Sequence, residues 1–343
     1  MEHESFNTFE NKNSKNSEGN FDESALISEA TPIDTWPATA TAEAYDTYEE
    51  PPEVRAYKER KQEYQDVISQ WDTHIETALA GDETALDHDE LNASIDTRER
   101  MRQELIEVSA NYPGDWTGLL YERMTDPVSR EKFIACRTEA MEAMKDGEVG
   151  KLDKEEAFKK YYQNQIDHYD ETIAQVFSYT RIGNEHPQTL GKSLNIGDPG
   201  VVYSGAHHKD GTPLTTRQKN IIEAHEKGHG LRDFESPIDG REIRLVIDEE
   251  ENKKLEEAKP RKDGNSYSPE YLRDAREIIE RMAQFKNYFG MGAADAFEKK
   301  HLDHIREHYV TDTELDNGIT DLLTCVTPKT EAAFLSVINK YPI

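Results

Sequence analysis

The chain has 343 residues, 35% hydrophobic and 32% charged, and its 70 acidic side chains against 41 basic ones give a formal net charge of −29. That balance speaks against a nucleic-acid binder, which needs a basic face for phosphates, and against docking on anionic lipid. Two distant cysteines, Cys136 and Cys325, offer neither a disulfide framework nor ligand-like spacing, which fits a reducing compartment.

The opening MEHESFNTFENKNSKNSEGN lacks the basic start and apolar run of a signal peptide, and no apolar run approaches the about 20 residues of a membrane helix. A soluble, intracellular protein of the cytoplasm is expected. Residues 1–50 are rich in Asn, Ser, Glu and Thr and too poor in large apolar side chains to offset their ordering entropy, so a disordered acidic tail is expected, ending at Pro51-Pro52.

Residues 51–182 read as a helical region. Tyr57, Tyr64, Ile68, Trp71, Ile75 and Leu79 recur at threes and fours and predict a first helix closed by Gly81-Asp82. A second is expected around ERMRQELIEVSANY, a third over SREKFIACRTEAMEAMKDG, and a fourth with Phe158, Tyr162, Ile166, Tyr169, Ile173 and Phe177 on one face.

From Gly183 the character changes, and 183–343 is read as a second unit. VVYSGA is a strand candidate. A helix over 215 to about 231 starts with Thr215 and Gln218 in a capping-box arrangement. REIRLVID alternates Ile243, Leu245 and Ile247 and reads as a strand. A long helix is expected from Pro269 to Gly290, and two more over 293–309 and 312–339, the last interrupted at Pro328.

The helix at 215–231 carries His225-Glu226-Lys227-Gly228-His229, an HExxH pentapeptide. One helical turn separates the histidines, so both imidazoles can reach a single metal, and Glu226 projects beside them as a general base. Ile221 and Ile222 turn the same side inward. This helix resembles the active-site helix of the zincin metallopeptidases, HEKGH being close to their HExGH variants. The resemblance implies that His225 and His229 bind one Zn2+ ion, that Glu226 is the catalytic base, and that a small β-sheet stands beside the HExxH helix in a mainly α, α+β domain. It implies peptide-bond hydrolysis by a water whose pKa zinc lowers, with a peptide or protein as substrate.

The metzincin continuation HExxHxxGxxH is absent, because Arg232 and Glu235 stand where Gly and His would be. The gluzincin arrangement takes its third ligand from a later helix, often within ExxAD or ExxAN. Glu280 begins ExxAQ and is the favoured third ligand; Glu277, in EIIER, is the alternative. A solvated surface glutamate is the plain reading of either. His301, His304 and His308 form a further set that could reach the metal or a substrate oxyanion, although exposure is the simpler expectation. His207-His208 reads as a loop feature, and nothing marks Tyr203 as catalytic. Two histidines and a carboxylate also suit iron or manganese. Two other functions stay open: a zincin-like protein that processes one specific partner, and an inactive acidic helical interaction protein.

Overall fold

A computed structural model describes residues 50–80, 87–146, 152–177, 180–183, 191–193, 201–204, 212–231, 237–258, 274–309 and 317–342. The expected disordered tail lies outside these residues except for Glu50, as do His207-His208 and Pro269.

Helix α1, Pro52–Leu79, opens with proline at its first position, where the ring costs no hydrogen bond. Helix α2, His88–Ser109, is held at its start by a reciprocal capping box between Asp87 and Glu90. The two pack along each other, and Asp72 on α1 accepts from Arg98 at 3.0 Å and from Arg102 at 3.2 Å on α2. Helix α3, Trp116–Thr125, has no counterpart among the sequence expectations. Its residues 116 to 121 are all buried, so no polar face exists to give a period. Helix α4 covers Pro127–Asp146, and the expected fourth helix is two, α5 over Leu152–Asp167 and α6 over Tyr169–Phe177, separated at His168.

The histidine helix is α7, Thr216–Leu231, and the capping box forms: the Thr215 amide donates to Gln218 Oε1 at 2.8 Å and the Gln218 amide to Thr215 Oγ1 at 3.1 Å. Helix α8 is Pro237–Arg244 and α9 is Glu249–Ala258. The central helix α10, Ala275–Tyr288, begins later than Pro269, with Asp274 accepting from the Arg276 amide. Helix α11, Lys299–His304, runs into a π-turn at Ile305–Tyr309; α12 is Asn317–Cys325 and α13 is Glu331–Lys340, with Pro328 in the turn between.

The expected α+β class, with a small sheet beside the HExxH helix, is corrected to a helical fold. About 81% of the interpretable residues are helical. The strand read at 243–247 is the end of α8 and a tight turn, in which the Leu245 and Val246 amides donate three residues back. Ile243, Val246 and Ile247 point inward while Leu245 is 65% exposed, which is helical spacing rather than alternation. Elsewhere only backbone pairing is described. The short segments β1 (Thr180–Gly183) and β2 (Gly191–Ser193) flank β3 (Val201–Ser204), parallel and antiparallel to it respectively. None of their side chains is described.

That core joins both halves of the chain. Val54, Tyr57, Ile106 and Trp116 share one apolar cluster with Ile221, Ile278, Met282, Phe289, Phe334 and Tyr341. Helix α10 runs through the middle: of its 14 residues only Arg276 is not buried. Its end is fixed by Gly290, whose φ of 56° suits a residue without Cβ, since a Cβ there would lie 2.7 Å from the Tyr112 ring. The Tyr57 hydroxyl faces the Phe289 carbonyl at 3.0 Å and the Ser109 carbonyl at 3.1 Å, tying α1 and α2 to the end of α10. No described helix is long and apolar enough to cross a membrane. Tyr57→Phe leaves two buried carbonyls short of this donor and should lower unfolding free energy by about 1–3 kcal/mol, read from urea denaturation.

Candidate metal centre

The centre lies between α7 and α10, which pack face to face in opposite directions. Arg217, in the first turn of α7, packs against the rings of both Trp116 and Tyr288, 5.2 and 5.0 Å from their centroids, and donates to the Ala110 carbonyl at 3.2 Å. That places the start of α7 at the end of α10. At the other end His229 meets Glu277. Twelve residues separate Arg217 from His229 and eleven separate Glu277 from Tyr288, so the two contacts are spaced alike on both helices.

Three donors converge there. His225 Nε2 and His229 Nε2 are 3.1 Å apart, with the rings nearly perpendicular. Glu277 Oε2 is 3.3 Å from His225 Nε2, and Glu277 Oε1 is 3.3 Å from His229 Nε2. Among the described residues this is the one group of His, Cys, Asp or Glu with its donor atoms all within 4.8 Å of one another. A tetrahedral site with bonds of about 2.0–2.1 Å has donor-to-donor edges of about 3.3–3.4 Å. The separation of the two nitrogens is close to that edge, and each nitrogen has one of the two Glu277 oxygens at a similar distance, so the residues present fit a small divalent cation with a fourth corner for a non-protein ligand.

Both candidate glutamates are buried, Glu277 at 8% exposure and Glu280 at 0%, so neither is a solvated surface residue. Of the two, it is Glu277, not the favoured Glu280, whose carboxylate lies between the imidazoles. With Glu280 in that place α10 would have to slide by nearly a turn relative to the Arg217–Tyr288 contact. Glu280 and Glu226 stand in the neighbourhood and act on His229 electrostatically. Glu226 is itself buried on α7.

Burial disfavours the charged form of His229, but the Glu277 carboxylate at hydrogen-bonding range outweighs it, with Glu280 and Glu226 adding to the pull. The imidazole pKa is pushed up from 6.5 to about 9. Burial likewise works against the Glu277 carboxylate, yet His229 and His225 hold it well below the usual carboxylate range. A proton on His229 thus takes part of the role that a cation would fill.

The remaining sequence candidates lie elsewhere or are not described. His304 packs on Tyr288 and Phe289, its Nδ1 3.7 Å from Glu107; His308 stacks on His304; and His301 Nδ1 accepts from the Glu298 amide. None of the three joins the converging donors. Tyr203 is on β3 with no described side chain. Comparison with family models, curated proteins and solved structures gives no match for this chain.

Glu277→Ala should weaken Zn2+ binding by about 100-fold or more, since one of three protein ligands is lost, whereas Glu280→Ala should retain most of the affinity. Competition with a chromophoric chelator measures both. In metal-free protein the His229 shift has a definite sign. Its folded pKa of about 9 lies above the ordinary 6.5, so the stabilisation is complete below pH 6.5 and disappears as pH rises through 9. Urea midpoints between pH 6 and 10 should fall over this window in the parent and stay flat there in Glu277→Gln.

Proposed function

We propose that this chain is a zincin-like metallopeptidase, in which His225, His229 and Glu277 hold one divalent cation, Zn2+ by preference, and Glu226 is the general base. The observation that carries this reading is the convergence of Glu277 on both imidazoles of the HExxH helix at 3.3 Å. Two imidazole nitrogens and one carboxylate are a donor set that suits zinc and leaves one position open, as hydrolytic sites require. When bound, the cation would polarise a substrate carbonyl and bring the pKa of a coordinated water towards neutrality.

The chain's own groups supply the rest. Glu226 follows His225 directly, on the side of α7 that feels the same electrostatic field as His229. From there its carboxylate takes the proton of the attacking water and returns it to the departing amine. In the metal-free protein Glu277 turns one oxygen towards each imidazole Nε2, so that carboxylate and nitrogens face the point where the cation would be held. Glu280 adds negative charge without entering the donor group, which favours a positive charge there, whether a proton on His229 or a bound cation. The substrate class is a peptide or protein.

Low exposure of the three donor side chains, at 5%, 14% and 11%, favours a second reading in which the cation braces α7 against α10 without turnover. Glu226→Gln separates the two. Under the peptidase reading the variant keeps its equivalent of zinc by elemental analysis and loses about 10²–10⁴-fold in kcat on a peptide library. A parent protein that carries zinc, gains thermal stability from it and cleaves nothing in the library supports the bracing role instead.

A further inference from the structure

A cavity of about 240 Å³ lies between α1, α2 and the start of α11, and none of its lining residues belongs to α7 or α10. Ile68 of α1 with Leu105 and Ile106 of α2 forms its apolar wall. The polar lining is charged but balanced. Arg102 Nη2 donates to both oxygens of Asp72 at 3.2 Å, and Arg98 adds a bond to the same carboxylate at 3.0 Å, which leaves one positive charge in excess on that side. At the start of α11 Glu298 supplies a carboxylate, while Lys300 is paired with Glu99 of α2. His301 adds no charge. The Glu298 amide donates to its Nδ1 at 2.9 Å, so the ring proton sits on Nε2. Burial, with the Lys61 cation adding to it, pushes the imidazole pKa down from 6.5 to about 4, which keeps the ring neutral at neutral pH.

We propose that this cavity binds a small zwitterion, a free α-amino acid with an apolar side chain. Its carboxylate meets Arg102, its ammonium meets Glu298, and its side chain lies on Ile68, Leu105 and Ile106. Size, polarity and charge each select that class. The volume is below the about 300–1,000 Å³ of sites for drug-sized ligands and suits a molecule of about ten non-hydrogen atoms. Three aliphatic side chains on one wall favour a ligand with an apolar body over water alone. A ligand with a net charge of either sign would meet its like on one side, whereas a zwitterion complements both at once. The neutral His301 offers a further N–H without upsetting that balance. This site is independent of the metal reading above.

L-leucine is the probe, titrated into the full-length protein and followed by saturation-transfer NMR. It should bind with a Kd of about 0.1–1 mM, as befits so small a ligand. Leucinamide, which lacks the carboxylate, and 4-methylpentanoate, which lacks the ammonium, should each bind about 10-fold more weakly or worse. Ser69 lines the cavity from the exposed side of α1, so Ser69→Phe fills the space without touching the core and should abolish the signal at unchanged far-ultraviolet circular dichroism. Arg102→Met should do the same; should it not fold for want of the Asp72 bonds, Ser69→Phe decides alone. No leucine binding up to about 10 mM, or equal binding by parent and Ser69→Phe, would overturn the site. Binding of 4-methylpentanoate or leucinamide as tight as that of leucine would overturn the zwitterion as its ligand.

Discussion

A carboxylate enclosed between two imidazoles at the contact of α7 and α10 is the constraint around which this molecule is arranged. Burying Glu277 without compensation would be prohibitive, and the compensation comes from histidines on the facing helix. The arrangement is mutual. The same carboxylate that His225 and His229 hold in its ionised form raises the proton affinity of His229 to about pH 9. A proton and a divalent cation therefore compete for one place, and neither helix can rotate or slide without opening it.

The rest of the fold can be read as support for that contact. Helix α10 has apolar neighbours on nearly every side, yet it carries Glu277, Glu280, Arg281, Gln284, Lys286 and Asn287 into the interior. A helix buried all round has little reason to hold six polar side chains unless they act together, and buried polar networks specify one packing arrangement at the risk of large costs if disturbed. Arg123 reaches Asn287 Oδ1 and the Met291 carbonyl from α3, and Tyr57 reaches the Phe289 carbonyl from α1. Helices from the first half of the chain thus hold the end of α10, while Arg217 and its two aromatic rings set the register of α7 against it.

Some of this was legible in the residues. The Thr215–Gln218 capping box marks a helix boundary chemically, and it forms where the sequence puts it. Helix α3 was not legible, because Trp116 to Tyr121 are buried on all sides and amphipathic periodicity vanishes when there is no solvent face. The segment Ile243–Ile247 was misread because a short run fits both periods. The three inward residues Ile243, Val246 and Ile247 match the helical one, and solvent at Leu245 decides it. Glu280 was preferred over Glu277 on the small residue and amide that follow it, a local pattern that is blind to helix register.

By itself the sequence determined that two histidines one turn apart, with a glutamate beside the first, share a helix whose same side is apolar. This follows from covalent spacing and a period of 3.6 residues, and needs no knowledge of the remaining chain. Which carboxylate meets them was decided only by tertiary structure. That partner lies about 50 residues away along the chain, and its approach is fixed by how Arg217, Trp116 and Tyr288 dock, a register that no local pattern encodes.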